Sequence, residues 1–300
     1  MVVPPDPMKL LRAYRKPSDL PLHRLLKGYA GKILSSVTPE TSSAIRRSPF
    51  AKRLPLSGRL IRNGHFLDAV VAGDHAMIRD FMRDFWSSSA SDDFYSGLSH
   101  RYETLFLKYH AGIVNETALA VRQTGFGFPQ FVEIGSGDGK ILDHFSRHLP
   151  EIGSFHGVDV NEPQVSNNRI IYRHNPKLDF HHHDGANWLH EHALPGIVLA
   201  TNGGVLEYFT KPELQVLFRM LASGCEPCVV SLTESMAVDH HLPTEEGSFP
   251  YGWELSLSHN YLALLREAGF SITYVNDRLT TPEESDTVGR WLQVVAVKAG

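Results

Sequence analysis

The 300-residue chain is poor in cysteine, with only Cys225 and Cys228. Two cysteines cannot build a disulfide scaffold, so a reducing compartment is the default expectation. The chain also lacks any apolar run near the ~18–20 residues that a membrane-spanning helix needs. Its first seven residues lack the apolar core of a secretory signal, and the early Pro4 and Pro5 argue against an organelle transit peptide. We therefore predict a cytoplasmic protein without a transmembrane segment.

Internal repeats, low-complexity tracts and extreme composition are missing as well. Hydrophobic residues make up 42% of the chain and charged residues 21%. These fractions are ordinary for a globular protein and exclude a disordered or collagen-like chain. The length fits one large domain or two moderate ones, at ~100–200 residues per domain.

Acidic residues are scarce at the N-terminal end. Residues 1–64, the basic arm, hold 13 Lys and Arg but only three Asp and Glu, which gives a net charge of +10 against −14 for the remainder. The simplest interpretation is that the basic arm packs against the acidic body of its own protein. The alternatives are docking onto an acidic partner, a nucleic acid or a membrane surface.

Strand-like alternation is missing from residues 1–124, which read as helices with short breaks. From Gly125 onward, strands and helices alternate, a pattern that predicts a mostly parallel sheet with helices on both faces. The last two predicted strands, Ile272–Asn276 and Trp291–Lys298, leave no room for a helix between them and should pair antiparallel at an edge. We predict a helical region over residues 1–124 and an α/β domain over residues 125–300.

The most informative stretch is Glu133-Ile134-Gly135-Ser136-Gly137-Asp138-Gly139, which leaves a predicted strand and opens a predicted helix. Glycines at alternate positions permit a tight turn and let a ligand lie against bare backbone. The helix N-terminus then offers free N–H donors to an anionic group. A dinucleotide fingerprint, G-x-G-x-x-G, would place its third glycine at position 140, which is Lys140. The loop therefore disfavours a nicotinamide-dependent oxidoreductase.

Polar residues follow the next three predicted strands. Asp159 ends the second strand, where a carboxylate can accept hydrogen bonds from ribose hydroxyls. Asp184 follows the third strand, and Asn202-Gly203-Gly204 follows the fourth. All of these positions lie at the carboxyl edge of the sheet, where open α/β sheets bind their ligands.

Residues 125–300 resemble the class I S-adenosylmethionine-dependent methyltransferases. The resemblance implies a Rossmann-like, mostly parallel sheet with an antiparallel last strand, and S-adenosylmethionine as the cofactor. By the same analogy, residues 1–124 form a helical cap in which Tyr95 or Tyr102 closes over the cofactor. The resemblance rests on the closing pair of strands and on four motifs in order: the loop at 133–139, Val158-Asp159-Val160-Asn161, His183-Asp184-Gly185-Ala186, and Asn202-Gly203-Gly204-Val205-Leu206-Glu207-Tyr208.

The resemblance also implies individual cofactor contacts. Glycines 135, 137 and 139 line the methionine end, while Glu133 holds the loop and the methionine amino group. Asp159 takes the ribose, Asp184 takes the adenine amino group, and Asn202 supplies backbone beneath the sulfonium. Gly203 joins Asn202 beneath the sulfonium, and Gly185 or Ala186 lies beside the adenine ring. Ser136 and Val160, from the same motifs, complete the implied cofactor set.

A hydroxyl or ammonium acceptor must lose a proton, so a base within ~2.6–3.2 Å of the acceptor would help. Glu207 follows the fourth strand, near the expected methyl position, although a helix-start role is also open to it. His240 and His241 follow the fifth strand. Adjacent side chains in an extended loop point apart, so at most one of the two faces the site. His259 precedes a predicted helix, where a capping role is the simpler interpretation.

Aromatic residues of the same loop, Phe249, Tyr251 and Trp253, could wall a flat substrate pocket, although packing of the loop onto the core is the simpler role. No metal site is predicted. Three consecutive strand histidines, at 181–183, alternate in direction and do not converge on one ion. The lone Cys225-x-x-Cys228 pair lacks the four ligands of structural zinc and enters a strand rather than a helix.

We expect a methyltransferase that acts on an oxygen or nitrogen atom of a small molecule, a biosynthetic intermediate. Two alternatives stay open. One is RNA or protein methylation with the basic arm as docking surface, and the other is a non-catalytic scaffold of the same fold. The sequence names neither the methyl acceptor nor the oligomeric state.

Overall fold

The computed structural model describes residues 11–50, 54–252, 256–280 and 289–300. The N-terminal part is helical, with short 3-10 turns at Pro17–Asp19 and Ser89–Ser91. Its helices are α1 (Leu22–Val37), α2 (Pro39–Arg47), α3 (Leu56–Ala72), α4 (His75–Ser87), α5 (Asp92–Arg101), a π-helix (Tyr102–His110) and α6 (Gly112–Gln123).

Local signals explain where α4 begins and which face it buries. The Asp74 side chain accepts a hydrogen bond from the Met77 N–H, which satisfies one of the free donors of the first turn. Its buried residues, Ile78, Phe81 and Met82, recur at helical spacing. Helix α4 therefore presents one apolar face to its neighbours and leaves the other for polar contacts.

Strands and helices alternate from residue 130 onward. The strands are β1 (Gln130–Ile134), β2 (Ser154–Asp159), β3 (Leu178–His182), β4 (Ile197–Asn202), β5 (Cys228–Met236), β6 (Ser248–Tyr251), β7 (Ser256–His259), β8 (Ser271–Thr280) and β9 (Gly289–Lys298). The helices are α7 (Lys140–His148), α8 (Glu162–Ile171), α9 (Gly185–His192), α10 (Lys211–Gly224) and α11 (Tyr261–Glu267), with a 3-10 turn at Leu206–Tyr208.

Seven of the strands form one sheet in the order β3-β2-β1-β4-β5-β9-β8. The first five are parallel neighbours, whereas β9 runs antiparallel to both β5 and β8. This confirms the predicted fold class, a mostly parallel Rossmann-like methyltransferase sheet with an antiparallel last strand and helices preceding it. The strand order reverses between β1 and β4, so their carboxyl ends flank the crevice where such sheets bind ligands.

Two apolar layers cover the sheet. One contains Leu142 and Phe145 of α7 with residues of α6 and α8, and the other contains Leu217 of α10 with residues of α9 and α11. No helix in the described part of the chain is both long and apolar enough to cross a bilayer.

Some elements differ from the sequence expectation. The sequence pattern predicted helices over residues 1–124 but not the π-helix (Tyr102–His110) that precedes α6. Helix α9 was not predicted, nor was the antiparallel pair β6–β7. Trp253, considered above as a pocket wall, lies outside the described residues.

Residues 13–15 of the basic arm pack on the body of the protein. Ala13 pairs with Tyr251 in an isolated β-bridge. The Arg15 guanidinium lies 3.0 Å from a carboxylate oxygen of Asp239 and 2.7 Å from one of Glu245. These contacts agree with self-packing of the arm at residues 13–15.

Candidate active site

A cavity of about 490 Å³ opens at the carboxyl edge of the sheet, between β1, β2 and β4 on one side and the N-terminal helices on the other. Ten of the residues that the resemblance assigned to the cofactor line this cavity: Glu133, Gly135, Ser136, Gly137, Asp159, Val160, Asp184, Gly185, Asn202 and Gly203. Parallel strands end at the same edge, so four motifs spread over 70 residues of sequence meet in one place.

Gly139 and Ala186 are exceptions, since neither lines the cavity. Gly139 precedes α7 with a φ of +75°, and its missing side chain makes room for aromatic rings. Ala186 lies in α9 and packs against the apolar core. Direct contact of these two residues with the cofactor is therefore not supported.

The glycine loop is held against the end of β2. The Gly135 N–H donates to the Val158 carbonyl over 2.7 Å, and Gly135 has a φ of +69°. A Cβ at this position would lie 2.6 Å from a methyl group of Val205. Only glycine satisfies both the backbone conformation and the space.

The same argument at Gly139 gives a stability prediction. A Cβ there would lie 2.8 Å from ring atoms of Tyr172 and Phe180, on a backbone with positive φ. We expect Gly139→Ala to lower the free energy of unfolding by about 1–3 kcal/mol. Gly97→Ala is the matched control, because Gly97 lies inside α5 with no atom within 4 Å of the added methyl group, and it should stabilise by about 0.5–1 kcal/mol. Urea denaturation measures both, and equal effects would contradict the packing argument.

Glu133 and Asn202 form a buried polar pair at the centre of the cavity. The Asn202 side-chain N–H donates to Glu133 Oε1 over 3.0 Å. Glu133 Oε2 and Asn202 Oδ1 are buried and have no hydrogen-bond partner among the described residues. Two buried acceptors without a donor are costly in a folded protein, so they fit a ligand that brings N–H groups.

Burial raises the pKa of Glu133 from 4.5 to about 8, against the smaller lowering effect of the Asn202 hydrogen bond. The folded state therefore holds the proton more tightly than the unfolded state. In the ligand-free protein, the contribution of Glu133 to stability is therefore greatest below about pH 4.5 and is lost as the pH rises towards about 8.

We expect Glu133→Gln to reduce the slope of the unfolding free energy against pH by up to about 1.4 kcal/mol per pH unit. A residual slope should persist, because burial also raises the pKa of Glu234 to about 8. Urea unfolding at pH values from 5 to 8 measures the slope, and identical slopes for the two proteins would contradict the prediction.

Asp159 is buried at the end of β2 and accepts three described hydrogen bonds. The Asn161 N–H and the Tyr95 hydroxyl donate to Oδ1 over 2.9 and 3.0 Å, and the Gly137 N–H donates to Oδ2 over 2.9 Å. Burial raises the pKa of Asp159, and the backbone donors lower it. Since Tyr95 occupies Oδ1, a ribose that engages both oxygens must displace its hydroxyl.

Asp184 begins α9 and meets the N-terminal helices. Its Oδ1 accepts from the Asn187 N–H over 3.2 Å, and its Oδ2 lies 3.4 Å from the Arg79 guanidinium. Arg79 also lies 3.1 Å from Glu213. A ligand group that binds the Asp184 carboxylate therefore shares it with the Arg79 guanidinium of α4. The sequence pattern did not predict this contact.

Glu207 lies in the 3-10 turn after β4 and is 7% exposed, at the cavity wall. Its Oε2 accepts a hydrogen bond from Ser235 Oγ over 2.7 Å and another from the Tyr251 hydroxyl. The turn itself is anchored by Glu234, which accepts the N–H groups of Val205 and Leu206 over 2.9 Å each. The structure thus holds the Glu207 carboxylate in one orientation.

The three candidate histidines do not reach the cavity. His240 is buried, with Nδ1 2.8 Å from Ser258 Oγ and Nε2 3.1 Å from the Glu245 carbonyl. His259 is also buried, with Nδ1 2.6 Å from Ser248 Oγ and Nε2 2.9 Å from the Phe209 carbonyl. His241 is exposed and contacts Thr244. Both ring nitrogens of the buried pair are engaged in holding loops, so a catalytic role for these histidines is not supported.

Aromatic rings from distant parts of the chain enclose the cavity. Trp86 of α4 packs against Phe94, Tyr95 and Tyr208, with ring centroids 4.8, 6.2 and 5.3 Å away. Tyr102 also lines the cavity, and its hydroxyl lies 3.0 Å from His144 Nδ1. Tyr251 lines the cavity as considered above, whereas Phe249 lies under Arg15.

Comparison with known proteins gives structural neighbours only. No protein-family model matches the sequence, and no curated protein sequence is significantly similar to it. A magnesium protoporphyrin IX methyltransferase from Synechocystis PCC 6803 with bound S-adenosylmethionine is 14% identical, covers 74% of this chain and 97% of its own, and has a TM-score of 0.48.

Two further neighbours were solved with S-adenosylhomocysteine. The 1,6-didemethyltoxoflavin-N1-methyltransferase of Burkholderia thailandensis is 14% identical, with coverages of 70% and 89% and a TM-score of 0.46. The N-methyltransferase NodS of Bradyrhizobium japonicum WM9 is 11% identical, with coverages of 64% and 88% and a TM-score of 0.44. At identities of 11–14% and TM-scores below 0.5, these likenesses assign neither a family nor a function to this chain.

Proposed function

We propose that this protein is a cytoplasmic S-adenosylmethionine-dependent methyltransferase that methylates an oxygen or nitrogen atom of a small biosynthetic intermediate. The observation that carries the proposal is the pair of buried acceptors without donors, Glu133 Oε2 and Asn202 Oδ1, beside the glycine loop. An ammonium group satisfies both, and the methionine end of the cofactor carries one. The free, buried thiols of Cys225 and Cys228 fit a reducing compartment.

In this proposal, different residues of the cavity wall bind different parts of the cofactor. Glu133 and Asn202 hold the amino group, Asp159 binds the ribose, and Asp184 with Gly185 lies beside the adenine. The bound cofactor supplies an electrophilic methyl sulfonium. The chain's own task is to bind, to aim the acceptor atom and to keep water out.

Glu207 is the base in this proposal. It lies in the cavity wall and can take the proton that a hydroxyl or ammonium acceptor loses. The Ser235 and Tyr251 hydroxyls donate to the carboxylate and fix its direction. They act as positioning residues, because they orient the base rather than exchange the proton.

A small acceptor fits the enclosure better than a macromolecule. Trp86, Phe94 and Tyr95 of the N-terminal helices cover the cavity from the side opposite the sheet. A total volume of about 490 Å³ lies within the range of small-molecule sites. In this proposal residues 1–124 serve as a cap that selects the acceptor, and residues 125–300 bind the cofactor.

Calorimetric titration of the full chain with S-adenosylmethionine and with NADH tests the function. We expect micromolar affinity for the sulfonium cofactor and none for the dinucleotide. Release of S-adenosylhomocysteine is then measured with hydroxyl- and amine-bearing small molecules, with RNA and with protein as acceptors. Turnover with a small molecule supports the proposal, whereas failure of well-folded protein to bind the cofactor, or turnover with RNA or protein alone, overturns it.

A further inference from the structure

We propose that His156, Asp179 and His181 form a site for a divalent transition-metal cation such as Zn²⁺. One ligand atom from each residue lies within 4.8 Å of the others. None of the three lines the active-site cavity, so the site is separate from the proposed reaction.

Strand register brings the three side chains together. His156 of β2 pairs directly with Asp179 of β3. Asp179 and His181 are two residues apart on β3, so they project to the same face. The consecutive histidines at 181–183 do not reveal this cross-strand arrangement, because only His181 takes part in it.

The spacing of the donor atoms suits a single ion. His156 Nδ1 lies 3.1 Å from His181 Nε2, and His181 Nε2 lies 3.4 Å from Asp179 Oδ2. Tetrahedral ligands at bond lengths of about 2.0–2.1 Å are themselves about 3.3 Å apart. The three side chains therefore need little rearrangement to coordinate a single cation.

The surroundings orient the ligands. Ser154 Oγ lies 3.0 Å from His156 Nε2, which leaves Nδ1 directed at the site. Trp188 packs on the two rings, with centroids 5.3 and 5.0 Å away, while Asp179 is exposed and leaves one side open to water.

The donor set indicates the class of metal. Two imidazoles and one carboxylate suit Zn²⁺ or a similar borderline cation, whereas Ca²⁺ and Mg²⁺ prefer oxygen ligands alone. A bound ion would join the edge strand β3 to β2. These are the strands that lead to Asp184 and Asp159, so the ion would brace the adenosine side of the site.

Titration of the tag-free full chain with Co²⁺ and Zn²⁺ tests the site. We expect one equivalent of Co²⁺ to give visible d–d absorption and one equivalent of Zn²⁺ to displace it and raise the melting temperature. His156→Gln/His181→Gln should abolish the signal, and Asp179→Asn, at an exposed position, should weaken binding at least tenfold.

His182→Gln is the matched control, because His182 is the next residue along β3 and points to the opposite face. It should bind as the parent does. Absence of stoichiometric binding by the parent, or full binding by both the double variant and Asp179→Asn, overturns the proposal. The readout requires no S-adenosylmethionine, so it fails or succeeds independently of the proposed function.

A second feature stands independently of the metal site. Helix α1 carries an apolar stripe, here called the α1 stripe, that faces solvent. We propose that it docks on the surface of an anionic lipid bilayer. The stripe recurs at helical spacing within an arc of about 80°, and its five residues are 56–70% exposed: Leu22, Leu26, Tyr29, Ile33 and Val37.

The other face of α1 explains why the stripe is turned outward. Gly28 and Gly31 are buried against α3. A Cβ on Gly31 would lie 1.8 Å from the Leu60 carbonyl oxygen, and one on Gly28 would lie 2.7 Å from Leu67 Cδ2. The two helices cross too closely for any larger side chain, so α1 cannot rotate to bury its stripe in the fold.

The positive charge of α1 and of the basic arm indicates which partner binds the α1 stripe. Helix α1 contains Arg24, Lys27 and Lys32 and no acidic residue, within an arm of net charge +10. Lys32 pairs with Asp68 of α3 over 2.6 Å, so the attraction to an anionic surface comes from the remaining basic residues of the arm. A basic helix with an exposed apolar face has the composition of an interfacial membrane helix. A second copy of the chain would bring the same positive charge to the contact, which disfavours pairing of two stripes.

Cosedimentation with vesicles of phosphatidylcholine alone, or with 30% phosphatidylglycerol (~0.3 mole fraction), tests this surface. We expect binding to the anionic vesicles only, and at least a tenfold loss in Leu26→Glu/Ile33→Glu. The control is Ile170→Glu/Val216→Glu, at two apolar residues of equal exposure elsewhere. Equal binding by both double variants, or dimerisation through the stripe in light scattering without vesicle binding, overturns the proposal.

Discussion

Replacing Asp159 with asparagine is expected to weaken the binding of S-adenosylmethionine about 30- to 100-fold. The carboxylate can accept charge-assisted hydrogen bonds from ribose hydroxyls, each worth about 1.5–3 kcal/mol, whereas a neutral amide offers one acceptor and weaker bonds. The amide NH₂ would also replace one carboxylate oxygen and so face either the Gly137 or the Asn161 N–H, each of which now donates to a different oxygen of Asp159. Calorimetry on the two proteins measures the loss.

Two matched variants separate this effect from general damage. Asp143→Asn makes the same chemical change on the surface of α7, where the carboxylate pairs with Arg147, and should leave affinity unchanged. Tyr95→Phe removes the hydroxyl that competes for Asp159 Oδ1 and should keep or raise affinity. Parent-like affinity in a folded Asp159→Asn protein would contradict the assignment of the ribose.

Replacing Glu207 with glutamine is expected to lower kcat by about 10²- to 10³-fold with the acceptor found in the turnover screen. The amide keeps the shape of the side chain and its place beside Ser235 and Tyr251, but it cannot take a proton. Cofactor affinity should change less than threefold, because Glu207 is not among the residues assigned to binding. Single-turnover rates and calorimetry report the two quantities separately.

The pH profile distinguishes a base from a purely structural residue. If Glu207 takes the proton, the methyl-transfer rate of the parent rises with pH through one ionisation. Glu207→Gln then loses this rise. Glu162→Gln, at an exposed acid in the first turn of α8, is the control and should keep the parent profile. An unchanged profile and a kcat within threefold of the parent would show that the acceptor needs only positioning.

The sheet-edge side of the cavity was predictable because its geometry is local. Glu133, Asp159 and Asn202 each end a strand, and parallel strands of one sheet end at a common edge. The sequence pattern gives both the strands and their order of appearance, so these residues could be placed together without coordinates. The exceptions, Gly139 and Ala186, lie one turn further on, inside or at the start of helices.

The contacts that the N-terminal helices and the strands β6 and β7 make in and around the cavity could not be predicted, because they depend on packing between segments far apart in sequence. Arg79 reaches Asp184 across 105 residues, and Tyr251 reaches Glu207 across 44. His240 and His259 have the side chain of a base, but Ser258 and Ser248, at the paired strands β6 and β7, engage them instead. Composition and periodicity carry no information on such pairings.

The division of the cavity between the sheet edge and the N-terminal helices also has an evolutionary consequence. In the proposed division, the residues assigned to the cofactor lie on loops at the sheet edge, whereas Trp86 and Phe94 of the cavity wall lie on α4 and α5. Substitutions at Trp86 and Phe94 would therefore reshape the wall while the glycine loop stays intact. Arg79 and Tyr95 of the same two helices contact Asp184 and Asp159, so recombination that exchanges the first hundred residues would change the cofactor side together with the cap.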